Sequence, residues 1–363
     1  MPAGRCEFSP DTRPALVLPL RVQNSATPLL TELLKAVSRS FYLTLRVLPG
    51  SVRPQIGLAY LLARTTDTIA DTELIPIARR LSALNELRTA IHAETLVQPR
   101  FDDLAAAHPE QPGGGSNAER VLLQRIGEIV ALLEGVSSAD RQCIREVLST
   151  ITSGQELDLQ RFGAANAEHI VALRTERELD DYTYRVAGCV GEFWTRMCRA
   201  HVFPKAQLDD LALIRDGIRF GKGLQLVNIL RDLPRDLKQG RCYLPSERLE
   251  QAQLTPASLR DPGCIAKFRP LYNEWLDLAE AHLAAGWSYT NALPRGAVRV
   301  RLACAWPVLI GVKTLARLRR DNPLDATQRV KVSRADVKSI IGATVLKYPF
   351  ARAWENLFAR AKS

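Results

Sequence analysis

The sequence predicts an all-α protein. Long stretches repeat their apolar residues with the 3.6-residue period of a helix and lack the alternation of strands. Breakers such as Pro49-Gly50-Ser51 separate these stretches. No linker is long enough to force a division and no useful internal repeat is visible. Residues 28–363 therefore read as one helical domain behind a Pro-rich, loosely ordered arm, residues 1–27.

In chain order, a helical pattern runs from about 28 to 48 and stops at Pro49-Gly50-Ser51. Pro54 suits the first turn of the next helix, which carries Asp67 and Asp71. A third helix covers about 76–97. Residues 108–117 (HPEQPGGGSN) form the clearest loop. Helices follow at about 119–134, 138–162 and 166–201, the last interrupted near 176–180. A helix over about 206–237 carries Asp232 and Asp236, and 240–245 leaves it as a turn and short extended piece. Loop residues 251–263 precede helices at about 264–292, 295–320 and 333–360.

The 49 Lys and Arg exceed the 39 Asp and Glu, for a formal net charge of +10. That balance favours an anionic partner. The basic residues are dispersed, without aromatic interleaving or a helix-turn-helix pattern, so a nucleic-acid partner is not expected. Seven cysteines without a C-x-x-C spacing argue against a disulfide framework and for a reducing cytoplasm. Five scattered histidines exclude the usual zinc patterns. No signal peptide is expected, and the apolar run Leu302 to Val312 is too short to span a bilayer. The basic final helix around Lys347–Lys362 is a candidate for peripheral contact with the inner face of a membrane, set against an ordinary packing helix.

Two aspartate pairs carry the chemistry. Asp67 with Asp71 and Asp232 with Asp236 each sit four residues apart, so both carboxylates of a pair share one helix face and repel. Tyr60, Arg64, Asp67 and Asp71 fall within about 60° of one another around their helix. Gln225, Asn228, Asp232 and Asp236 form a second stripe, with Arg231 at its edge. One such pair is commonly a solvated face. Two suggest helices facing each other across a cavity, with Mg²⁺ held by carboxylates and phosphate oxygens, and Arg64 and Arg231 on the phosphate.

The sequence also resembles the squalene/phytoene synthase family, the head-to-head prenyl transferases, over most of residues 38–320. Five ordered segments carry the resemblance: Ser38-Arg39-Ser40-Phe41, the Tyr60 to Asp71 stripe, residues 181–188 (DYTYRVAG), residues 223–232 (GLQLVNILRD) and residues 240–245 (GRCYLP). It implies an isoprenoid-synthase helical bundle around a central apolar cavity, two molecules of farnesyl diphosphate as substrate, and Mg²⁺. By position, Asp67, Asp71, Asp232 and Asp236 resemble the metal ligands. Ser38, Ser40, Arg64, Gln225, Asn228 and Arg231 resemble diphosphate contacts. Tyr60, Tyr182 and Tyr243 resemble cavity tyrosines near the reacting carbons, and Phe41 a cavity wall.

Some positions depart from the family pattern. Ala70 and Arg235 stand where many relatives carry an acid. Pro234 removes a helical hydrogen bond and is expected to kink the helix near Leu230, making the second pair less regular. Residues 154–158 (GQELD) differ from the family's Gly-Met segment and are left outside the expected site.

The implied reaction begins with loss of diphosphate from an allylic carbon, its charge stabilised by Mg²⁺ and arginines. An apolar cavity shields the cation from water, and tyrosine faces stabilise it. Coupling gives a cyclopropyl diphosphate, which rearranges on a second ionisation. With NADPH the family's product is squalene. Without it, the products are dehydrosqualene or phytoene, or the reaction stops at presqualene diphosphate or hydroxysqualene. Residues 294–301 (PRGAVRVR) resemble a basic dinucleotide-phosphate segment, with Arg295, Arg299 and Arg301 as the contacts, and they favour the reductive, squalene-forming reading. No Rossmann motif is present. From another class, a polyprenyl carrier would use the apolar cavity but has no need of two aspartate stripes.

Overall fold

The computed structural model describes residues 29–38, 42–108, 115–327 and 330–362. The expected arm over 1–27 lies outside these residues. Among the described residues there are ten principal helices: α1 Arg53–Asp71, α2 Ile77–His92, α3 Ser138–Arg161, α4 Glu176–Thr183, α5 Cys189–His201, α6 Asp210–Lys238, α7 Ile265–Ala292, α8 Val298–Arg320, α9 Arg334–Lys347 and α10 Ala351–Lys362. Shorter helices lie at Leu34–Ser38, Tyr42–Val47, Asp102–Ala106, Gly115–Gln124, Ile126–Ala131 and Ser246–Gln251.

Local chemistry sets the starts of the long helices. Pro54 stands in the first turn of α1, where its missing N–H has no intrahelical partner to lose. Ser137, Thr175 and Asp209 cap α3, α4 and α6 by accepting from backbone N–H groups three residues on. Ser333 and Asp336 close a reciprocal capping box on α9.

Two differences from the sequence reading bear on the site. The helix expected over 166–201 with an interruption near 176–180 is instead an extended entry, then α4 beginning at Glu176, a π-helical turn Tyr184–Gly188 and α5. The final helix expected over 333–360 breaks at Tyr348-Pro349-Phe350, because Pro349 lacks the N–H that continuation needs.

Pro234 leaves α6 continuous from Asp210 to Lys238, so no break separates Asp232 from Asp236. Proline cannot donate to the Leu230 carbonyl. The buried Tyr272 hydroxyl of α7 donates to that carbonyl instead (3.0 Å) and satisfies it from a neighbouring helix.

Close backbone approach fixes α5 against α6. A Cβ on Gly191 would lie 1.9 Å from the Gly217 carbonyl oxygen, and one on Gly221 would lie 2.1 Å from that of Ala187. Only glycine fits there, and the contact presses the π-turn onto α6.

Two residues on each side form the β pairing among the described residues. β1 (Val171–Ala172) runs parallel to β2 (Arg241–Cys242), with Val171 opposite Arg241. Val171 N–H donates to the Gly240 carbonyl (2.9 Å) and Leu173 N–H to that of Cys242 (3.0 Å). Gly240 has φ +78°, a left-handed conformation that suits glycine.

The core forms two apolar clusters. One joins α1, α2 and α3 to the helices at 115–131 and to α5. The other joins α4, the C-terminal half of α6, α7, α8 and α10. Among the described residues, no helix is long and apolar enough to cross a membrane.

Candidate active site

A cavity of about 690 Å³ opens where the two clusters meet. Ile77 and Leu159 come from the first side, and Phe162, Tyr182 and Tyr243 from the second. Its wall also carries Asp67 and Asp71 from α1, Gln155 and Asp158 from α3, Gln225 from α6, and Arg241 from β2. The lining is therefore mainly polar, unlike the apolar chamber that the resemblance implies.

On α1 the first stripe is held from outside the helix. Glu119 accepts from Arg64 Nη2, and Arg64 Nη1 lies 3.8 Å from Asp67 Oδ2. Gln155 of α3 donates to Asp67 Oδ1. Burial and the neighbouring Asp71 push the Asp67 carboxyl up to about 7. Its side chain is still 49% exposed, facing the cavity. Protein thus hems the carboxylate on one side only, and a cation entering from the other would reverse the shift. Burial raises Asp71 as well, against the pull of Arg64 and Arg241. Tyr60 packs against the first cluster, within electrostatic reach of Arg64.

On α6 the second stripe divides. Arg231 donates to both oxygens of Asp232, through Nε (2.9 Å) and Nη2 (2.5 Å). Asp236 instead joins the cavity electrostatics. Burial and Asp232 push it up to about 7, while Arg235 and Arg241 oppose them. Asn228 is exposed and donates to Gln225 Oε1 (3.4 Å).

Tyr182 and Tyr243 stack with ring centroids 4.7 Å apart, and Phe162 meets Tyr243 edge-on at 5.1 Å. Tyr243 Oη donates to Asp158 Oδ2 (2.7 Å). Burial pushes both phenols well above their ordinary value and raises Asp158 to about 6. Tyr182 lies within electrostatic reach of both Asp67 and Asp236, but of the second stripe only Gln225 lines the cavity, and Asn228, Arg231, Asp232 and Asp236 do not.

Sequence reasoning left out four groups that the fold places here. Gln155 and Asp158 lie in the excluded segment, and their i, i+3 spacing on α3 was the available signal. Arg241 is two residues before the expected Tyr243, across buried Cys242, and strand alternation turns it toward the cavity as well. Glu119 holds Arg64 from 55 residues away, beside the glycine-rich loop, and no local pattern announces it.

Other expected positions sit elsewhere. Ser38 is buried and its hydroxyl donates to the Leu34 carbonyl, so its proton caps its own helix rather than facing a diphosphate. Ser40 and Phe41 lie outside the described residues. Arg301 corrects the dinucleotide expectation. It is 6% exposed, donates to Leu293 O and Asn291 Oδ1, and lies over the Trp354 and Tyr348 rings. Arg295 and Arg299 remain exposed, and donate to the carbonyls of Pro349 and Val47.

The donor chemistry fits a hard divalent cation. The crowded carboxylates raise one another, and two more acceptors, Gln155 Oε1 and Asp158 Oδ1, are buried without a protein donor. Among the described residues no three metal-ligating side chains surround one point. Each stripe supplies two carboxylates, which suits an ion completed by phosphate oxygens and water.

The chain has relatives among known proteins. A family model described as squalene/phytoene synthase matches residues 34–336. The presqualene diphosphate synthase of Sinorhizobium fredii is 30% identical over 270 residues, 73% of this chain and 78% of that protein. Its namesake from Rhodopseudomonas palustris is 29% identical over 267 residues, with the same shares. In fold, the chain matches the structure of TcSQS with the ligand BPH1237 at TM-score 0.72, 21% identity, covering 93% of this chain and 98% of that one.

Proposed function

The chain belongs to the squalene/phytoene synthase family, and we propose that it joins two farnesyl diphosphates head to head and releases presqualene diphosphate. The observation that carries this reading is the cavity that gathers Asp67 and Asp71 of the first stripe, Gln225 of the second, and the stacked Tyr182 and Tyr243. The names of the two bacterial relatives support stopping at the cyclopropyl diphosphate. The burial of Arg301 supports it too, by removing one of three arginines expected at a dinucleotide phosphate.

Asp67, Asp71, Asp232 and Asp236 would hold Mg²⁺, which supplies positive charge against the departing diphosphate. Arg64, oriented by Glu119, meets the phosphate oxygens beside the first stripe. Arg231 does so beside the second, exchanging Asp232 for phosphate. Gln225 and Asn228 supply neutral donors on the same face. Phe162 and the stacked tyrosines exclude water from the allylic cation and present ring faces to it. Closure of the cyclopropane releases one proton. Tyr243 Oη accepts it as its own proton passes to Asp158 Oδ2, so the phenol ends neutral and Asp158 protonated.

Reduction by NADPH to squalene is the second reading, and exposed Arg295 and Arg299 are its basis. Incubation of purified protein with farnesyl diphosphate and Mg²⁺, with and without NADPH, followed by mass spectrometry, separates the two. Presqualene diphosphate under both conditions is expected. Squalene on addition of NADPH would establish the second reading, and absence of any coupled product would overturn both.

A further inference from the structure

The final helix was a candidate membrane contact, but its apolar face is already occupied. Trp354 and Leu357 of α10 are buried, and Trp354 and Phe358 stack on Trp287 of α7. The exposed apolar residues lie at the corner before it. Val345 is 51% exposed, Leu346 75% and Phe350 65%. A Cβ on Gly342, one turn earlier, would meet nothing within 4 Å, so this face of α9 is open.

The corner is tied to the start of α8. Tyr348 Oη donates to the Arg295 carbonyl (2.6 Å), and Arg295 Nη2 to that of Pro349 (3.4 Å). Val298, 38% exposed, adds a fourth apolar side chain on α8. Charge around the corner has one sign. Residues 337–354 contain no Asp or Glu, and neither do residues 281–320. Exposed Lys338 and Arg352 flank the apolar tip along the chain on α9 and α10, and exposed Arg295, bonded to the Pro349 carbonyl, and Arg299 stand at the start of α8. Asp336, at the far end of α9, is paired with Lys313 and Arg317, and Glu355 is the first acid beyond the corner.

We propose that the α9–α10 corner docks on an anionic lipid bilayer, with Leu346 and Phe350 entering the interface while Arg295, Lys338 and Arg352 meet headgroup phosphates. Apolar side chains flanked by cations are what such a surface binds. A second copy of the chain fits poorly. A twofold contact would set these cations against themselves, and four side chains fall well short of the roughly 800 Å² per partner of a stable interface. The inference stands on the surface alone and does not depend on the reaction.

The test is co-sedimentation of the full chain with vesicles of phosphatidylcholine, alone or mixed with phosphatidylglycerol. Binding is expected only to the mixed vesicles, and to weaken with salt. Leu346→Glu with Phe350→Glu lowers that partitioning at least about tenfold, with unchanged thermal melting. Lys338→Glu with Arg352→Glu, which leaves the apolar tip intact, lowers it by a similar factor and flattens the salt dependence. The proposal is overturned if the unaltered chain ignores phosphatidylglycerol, or if both double variants bind as it does. It also fails if the chain is a dimer that the apolar variant dissociates and no vesicle binds.

Discussion

The bond from Tyr272 Oη to the Leu230 carbonyl makes a quantitative prediction about how α6 tolerates Pro234. Tyr272→Phe removes the only donor reaching that carbonyl from α7 and leaves its ring packed as before. The carbonyl is buried, because both Leu230 and Tyr272 are 0% exposed. Leaving such an acceptor unpaired costs about 1–3 kcal/mol. Unfolding entropy scales to about 0.8 kcal/mol/K for a chain of 363 residues. The melting temperature should therefore fall by about 1–4 °C. The decisive comparison is a double-mutant cycle. Pro234→Ala restores a backbone N–H four residues beyond Leu230, so the carbonyl regains a helical partner. In that background Tyr272→Phe should cost at least about 1 kcal/mol less. Urea unfolding of the four proteins followed by circular dichroism measures the coupling. Equal costs in both backgrounds would refute the argument that the tyrosine replaces the bond lost to proline.

Three further predictions follow from the site and its supports. Asp67 and Asp236 have folded-state values of about 7 against an ordinary 3.8. The stability they lend is complete below about pH 4 and disappears as pH rises through 7. Chelator-treated protein should melt lower at pH 8 than at pH 5, and Mg²⁺ should raise the melting point more at pH 8; a flat profile in scanning fluorimetry would contradict the carboxylate crowding. Gly191→Ala drives a methyl group into the Gly217 carbonyl and should cost about 3 kcal/mol or more, read as a lower urea midpoint. Glu119→Gln weakens the hold on Arg64 and should lower kcat/KM for farnesyl diphosphate about tenfold with unchanged melting; unchanged kinetics would deny Glu119 a positioning role.

The aspartate stripes were legible because helical spacing converts directly into a shared face. The segments around Asp67, Tyr182, Gln225 and Tyr243 could be recognised because each motif is contiguous. Contacts across distant sequence were not readable. Gln155 reaches Asp67 across 88 residues, and Tyr243 reaches Asp158 across 85. Ser38 shows a different limit: its motif was visible, but its bond to its own helix carbonyl belongs to the rotamer. Pro234 invited an expectation of distortion because a sequence cannot display the tyrosine on α7 that relieves it. Pro349, by contrast, was a visible helix breaker whose effect on the final segment was underestimated.

The pairing of β1 with β2 has a consequence for how insertions and deletions act on this protein. Its two-residue clasp decides which side chains of residues 241–243 meet the reaction space. Arg241 and Tyr243 line the cavity, while Cys242 between them is fully buried. A slip of one residue in that pairing reverses every side chain. A thiol would then replace a guanidinium beside Asp71, and the phenol that donates to Asp158 would turn away. Deleting one residue next to Gly240 could thus leave nearly every helix standing and still disable the chemistry. In a protein made almost wholly of helices, tolerance to a change in length is lowest at its shortest strands.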